Sequence, residues 1–256
     1  MAYQKTTWAN GQAPAIDAEH LNKIENGIAD CDDKALFASI VIPAKTVTVA
    51  ASELQAYLTA LPKLMTELLT INVTGDAGTV IGPNLFIVGF YGPGEIKIVG
   101  SKTGTSNNIT ISGEIGCDYG TCLITLSNFE LEAVAAMTGA TNGCIHCFWG
   151  GNVVLNECNI TGNGKCCGVV AYGGGSVSVQ WGTIKNCAIA ARASINSVVS
   201  ILAYAAHAAG FTGNTVGASS ERGSIIGLSD AAPDLLGGSS NTKNGGLIVK
   251  ADGTLL

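Results

Sequence analysis

The chain reads as a mainly β protein, a right-handed parallel β-helix with a short N-terminal helical segment and a helical cap. Three observations predict this. Charged residues make up 12% of the sequence and apolar residues 47%, with 34 glycines in 256 residues. Such a chain has a core to bury and is unlike a disordered tail. Short β-branched runs, such as Leu69–Val73, Glu95–Val99, Asn108–Ile111 and Leu123–Leu126, alternate with Gly, Asn and Ser turns. Finally, the runs repeat. Asn152-Val-Val-Leu155 followed by Cys158-Asn-Ile160 aligns with Ser176-Val-Ser-Val179 followed by Gly182-Thr-Ile184, an offset of 24 (176 − 152). Cys144–Gly151 aligns with Gly168–Gly175 at the same offset, and Ala190–Ser194 leads into Val198–Ile201 after a further 22. A period of 22–24 residues carrying two or three short strands suits one coil of a parallel β-helix, and no leucine-rich Leu/Asn ladder accompanies it.

The elements divide the chain into four stretches: residues 1–37, 38–70, 71–230 and 231–256. In the first, Asp17 is a candidate N-cap, and Leu21, Ile24, Ile28, Cys31 and Ala35 recur at helical spacing. Two heptads containing Gly27 are marginal alone. The stripe therefore needs a partner, either its own domain or a short coiled coil between copies. In the second stretch, a strand-like run over 40–49 precedes Ser52, a candidate cap. Leu54, Tyr57, Leu58, Leu61, Met65, Leu68 and Leu69 then form a helical stripe. Pro62 predicts two short helices or a kink there, over 53–69, closing the open end of the solenoid. Residues 71–230 are the β-helix, about six coils. Asn128, Asn156, Asn159, Asn163 and Asn186 are corner candidates, because Asn tolerates the left-handed region. Residues 231–256 form a C-terminal extension.

The segment Thr7-Trp8-Ala9-Asn10-Gly11 through Leu21-Asn22-Lys23-Ile24-Glu25-Asn26-Gly27-Ile28 resembles the N-terminal segment of tail-fibre and baseplate proteins from phages and prophages of Gram-positive bacteria. The resemblance spans about 22 residues (7–28). The Gly245–Thr254 strand resembles fibre termini more weakly. The resemblance implies a homotrimer attached to other tail or baseplate proteins, located in the virion tail, with host-surface glycan as a second partner. Trp8, Leu21, Ile24 and Ile28 would be its assembly residues. This chain lacks a long distal receptor domain of the kind such fibres carry.

The net charge of −6 offers nothing to neutralise phosphates, so nucleic acid is not an expected partner. Residues 1–10 lack the apolar run of a signal peptide, and the most apolar window, 198–211, is too short to span a bilayer. Nine cysteines without an export signal read as reduced thiols. The cluster Cys144, His146, Cys147, Cys166 and Cys167 reads as a buried stack, with Cys147 over Cys167, more than as a zinc site, so no metal or other cofactor is expected. Flat aromatic rings suit sugar faces, which makes Trp149, Tyr172 and Trp181 the carbohydrate-binding candidates if exposed. Buried, they fill a coil or a subunit interface, and the sequence favours that. Trp149 and Tyr172 are placed as near-equivalents in consecutive coils. His146 and His207 read as satisfied strand residues. The alternative function is a polysaccharide depolymerase or lyase. It needs paired carboxylates, and Glu130 with Glu132 is the only pair placed on one strand face.

Overall fold

The computed structural model describes residues 23, 24, 26, 41, 42, 44–203, 210–229 and 234–256. Its body is a parallel β-helix of three stacked sheets. The longest has nine strands: Lys45–Ala50, Leu68–Thr74, Glu95–Gly100, Leu123–Ser127, Asn152–Asn156, Ser176–Gln180, Val198–Leu202, Ile225–Leu228 and Leu247–Lys250. Nine stacked strands bound eight turns, two more than the repeat suggests. A seven-stranded sheet runs from Leu85–Phe86 to Ser239–Lys243, and a five-stranded sheet from Thr79–Ile81 to Thr183–Lys185. The solenoid thus takes in strands on both sides of residues 71–230.

The register matches the sequence repeat residue by residue. Asn152 aligns with Ser176 and Ser176 with Val198. Ile145, His146 and Cys147 align with Val169, Val170 and Ala171. Ile71, Ile98, Leu126, Leu155, Val179 and Ile201 stack in one inward column, each almost wholly buried. Each such side chain contributes about 1.5–3 kcal/mol on leaving water. The core is therefore a set of aliphatic ladders with cysteines in the narrower places, and all eight described cysteines are buried.

The N-terminal cap departs from expectation. A 3-10 turn, Ala51–Glu53, leads into one helix, Leu54–Ala60, with Leu54 and Leu58 buried. Ser52 lies inside the turn, and no side-chain bond caps the helix at Glu53. No second helix follows. Leu61 is extended (φ −68°, ψ 142°) because the ring of Pro62 disfavours helical backbone before it. Leu64–Met65 and Leu68–Thr74 are strands. The stripe of leucines has helical spacing across 54–69, but its second half alternates inward and outward as strand.

At the other end, Leu247–Lys250 is covered by the last residues. Leu255 pairs antiparallel with Val249, and the Leu256 N–H donates to the Ile248 carbonyl at 2.9 Å. Residues 251–256 thus close an edge that would otherwise offer unpaired backbone. The N-terminal stripe lies almost wholly outside the described residues. Lys23, Ile24 and Asn26 are helical and Ile24 is exposed, while Trp8, Leu21 and Ile28 fall outside. Among the described residues, no helix is long and apolar enough to cross a membrane.

Candidate functional site

The corner between the seven- and nine-stranded sheets repeats one backbone device. Tyr119 (φ 53°), Trp149 (φ 54°), Gly173 (φ 63°), Ile195 (φ 57°), Arg222 (φ 54°) and Asn244 (φ 51°) follow one another in successive coils. Non-glycine residues rarely adopt this left-handed region, and Ile195, being β-branched, is a strong outlier. The turn is fixed by hydrogen bonds from the next coil. Tyr119 N–H donates to Phe148 O at 3.2 Å and Trp149 N–H to Tyr172 O at 3.0 Å. A left-handed corner throws the side chain outward, which places Tyr119 and Trp149 on the surface at 55% and 52% exposure.

The Trp149 ring is held there. A methyl group at Gly173 would stand 2.7 Å from its Cε3, so the indole lies against the bare backbone of the next coil. Tyr172 meets it edge-on at 5.6 Å between centroids. Phe148 meets Tyr172 at 5.6 Å and stacks on His146 at 4.6 Å. Tyr172 is aligned with Phe148, and Trp149 follows one residue later, so Trp149 and Tyr172 are near-equivalents in consecutive coils, as the repeat implies. Trp149 is exposed on the single chain, so it does not fill the coil. Trp181 also sits at a left-handed corner (φ 59°), but on the far side of the nine-stranded sheet with Asn128 and Glu157. It does not join this patch. Asn128 and Asn186 are left-handed corners as expected, while Asn156 and Asn159 lie within strands. Asn163 turns its corner by side-chain bonds, accepting from Lys165 and Cys166 N–H.

Beneath Phe148 is a charged cluster. His146 Nε2 is 3.0 Å from Asp118 Oδ2, and Asp118 Oδ1 accepts the Phe148 N–H at 2.9 Å. His146 Nδ1 lies 2.7 Å from Glu114 Oε1, close but not aligned for a hydrogen bond. Gly116 leaves the room, since a Cβ there would come within 2.8 Å of His146 Nε2. Burial pulls the imidazole pKa down, but Asp118 and then Glu114 outweigh it, and the pKa is raised. The side chain is only 7% exposed, with a carboxylate against each ring nitrogen. It is arranged as a buried ion cluster tying two coils together.

Glu130 and Glu132 share the outward side of one strand, with Leu131 buried between them. Glu130 Oε1 accepts from Asn159 at 2.9 Å and Asn107 at 3.1 Å, which makes it part of a polar ladder. Among the cysteines, Cys147 aligns with Ala171 and Cys167 with Ile189, so those two do not stack. The thiols of Cys144 and Cys166 meet instead, and that hydrogen bond lowers the pKa of Cys166 and raises that of Cys144. No group of three or more His, Cys, Asp or Glu side chains is placed to hold a metal ion among the described residues. Comparison with family models, curated proteins and solved structures finds no match.

Tyr119, and the meeting of Glu114 and Asp118 with His146, escaped the sequence reading for one reason. His146 aligns with Gly116, an offset of 30 (146 − 116), whereas the visible repeat is 24. Residues 133–142 lengthen that coil and hide the alignment.

Proposed function

We propose that the protein is a structural component of a phage or phage-like tail whose β-helix binds host-surface carbohydrate at the Tyr119–Trp149–Tyr172 corner. One observation carries the binding part: an exposed indole held flat against Gly173 and braced by Tyr172. A pre-positioned ring suits the C–H face of a pyranose, because little rotamer freedom is lost on stacking. The tail part rests on the resemblance of residues 7–28, which also supplies the homotrimer, the neighbouring tail proteins and the virion location. The test is glycan-array binding of the wild type and Trp149→Ala. The reading requires binding that the variant loses at least tenfold. An array with no wild-type signal sinks the carbohydrate part.

A polysaccharide-cleaving enzyme is the second reading, favoured only by Glu130 and Glu132 sharing one outward strand face. Release of reducing ends by the wild type, abolished in Glu132→Gln, would establish it over the first.

A further inference from the structure

The outward side of the nine-stranded sheet changes character along the solenoid. Its third strand presents Glu95 and Lys97. Across the six strands from Leu123–Ser127 to Leu247–Lys250, no outward position of this sheet carries a charged residue. Lys250 is aligned with Leu228, on the inward side. Val198, Ile225 and Leu247 are stacked in one outward column, exposed by 44%, 41% and 40%. Two residues along, Ser178, Ser200 and Gly227 form a parallel column of small residues. A Cβ at Gly227 would meet nothing within 4 Å. The face is therefore an aliphatic ridge beside a shallow trough.

The other two sheets are charged outside. The five-stranded sheet bears Glu130, Glu132 and Lys185, and the seven-stranded sheet bears Arg192, Glu221 and Lys243. We propose that the charge-free face is where a second copy of this chain packs, the ridge of one copy in the trough of the other. A charged partner surface would leave its charges desolvated and unpaired against this face. The same face on another copy leaves none. The size also fits. Six strands about 4.8 Å apart and five residues of about 3.3 Å each span roughly 29 by 17 Å. That is nearly 1,000 Å² for the pair before side-chain relief, the size of a weak, reversible interface whose occupancy depends on concentration.

The proposal deepens the self-association in the reading above and is separable from its N-terminal seam. The experiment is native mass by light scattering at tens of micromolar, on the wild type, on Ile225→Lys/Leu247→Lys and on Ile24→Asp/Ile28→Asp. The expected result is a wild-type mass that is a multiple of 25.9 kDa and a face variant dissociating at least a hundredfold more readily, with an unchanged circular dichroism spectrum. If the lysines disturb folding, Ile225→Ser/Leu247→Ser carries the same expectation, because serine already fills this face at Ser176 and Ser178. A face variant that keeps the wild-type mass while the seam variant loses it overturns the proposal and leaves the seam standing. A wild type of 25.9 kDa overturns both.

Discussion

The side-chain amide of Gln55 bonds both backbone groups of Phe86, accepting its N–H at 2.7 Å and donating to its carbonyl at 3.2 Å. Phe86 lies in the first strand of the seven-stranded sheet, so its outer edge would otherwise be unpaired. One glutamine on the capping helix thus takes the place of a neighbouring strand. Removing both bonds costs about 1–2 kcal/mol at such a half-exposed edge. Gln55→Ala is expected to lower the melting temperature by a few degrees and to increase aggregation on heating, because a bared strand edge recruits other edges. Calorimetry with turbidity checks both, and Gln55→Glu separates them: it keeps the acceptor for the Phe86 N–H and loses the donor.

Gly173 supports Trp149 twice over. It takes the left-handed turn without strain and leaves space for the indole. Gly173→Ala is expected to destabilise the fold by about 1–2 kcal/mol, because a side chain at φ 63° is strained and its methyl strikes the ring at 2.7 Å. Trp149→Ala removes an exposed ring and is expected to change stability by less than about 0.5 kcal/mol. Tryptophan fluorescence and chemical denaturation distinguish the two. A Gly173→Ala protein with wild-type stability would mean that the ring is not held against that backbone.

The solenoid was legible where coils had equal length. Val153, Val177 and Val199 could be aligned by eye because the coils around them are 24 and 22 residues long and inward positions are aliphatic. It was not legible where coils lengthen. The antiparallel pair Lys102–Thr103 and Ser106–Asn107 and the residues 133–142 push equivalent positions to offsets of 28 and 30, as in Ile96 with Ile124 and Gly116 with His146. The site suffers most, since Asp118 meets His146, and Tyr119 takes the corner equivalent to Trp149, across that longer coil. The cap was misread for a different reason. Leucines at 61, 65, 68 and 69 satisfy a helical spacing, and only the restriction that Pro62 places on Leu61 switches the backbone to strand.

The buried thiols make a chemical prediction. Cys147, Cys158 and Cys187 have their pKa pushed up to about 12, chiefly by burial, so they are protonated and unreactive at neutral pH. Cys166 is lowered to about 6 by the hydrogen bond from Cys144. In the native protein without denaturant, Cys166 is expected to be the first of these thiols alkylated, as read by peptide mass spectrometry after iodoacetamide. Cys144→Ala removes the hydrogen bond and should slow that labelling several-fold. Equal labelling of Cys166 and Cys158 would contradict the pairing.

His146 gives the fold a pH dependence whose sign follows from its neighbours. Its pKa is raised in the folded state, so the native protein holds the proton more tightly than the unfolded chain does. The stabilisation is complete below the ordinary imidazole value of 6.5 and is lost as pH rises through the higher folded value. Asp118 and Glu114, reaching it from the preceding coil, are the groups that supply the effect. Above that window both carboxylates face a neutral ring. Glu221 acts in the opposite direction, since Arg192 lowers its pKa, and its contribution fades only in acid, below the ordinary carboxylate value of 4.5. Cys166, lowered to about 6, also titrates between pH 5.5 and pH 8 and acts in the opposite direction, but its contribution is common to wild type and His146→Gln and cancels in their difference. His146→Gln keeps a side chain that can bond one carboxylate but cannot be charged. The melting-temperature gap between wild type and His146→Gln is expected to be several degrees at pH 5.5 and to shrink toward pH 8. A gap that stays constant across that range, or widens with pH, would show that His146 is not protonated between its two carboxylates.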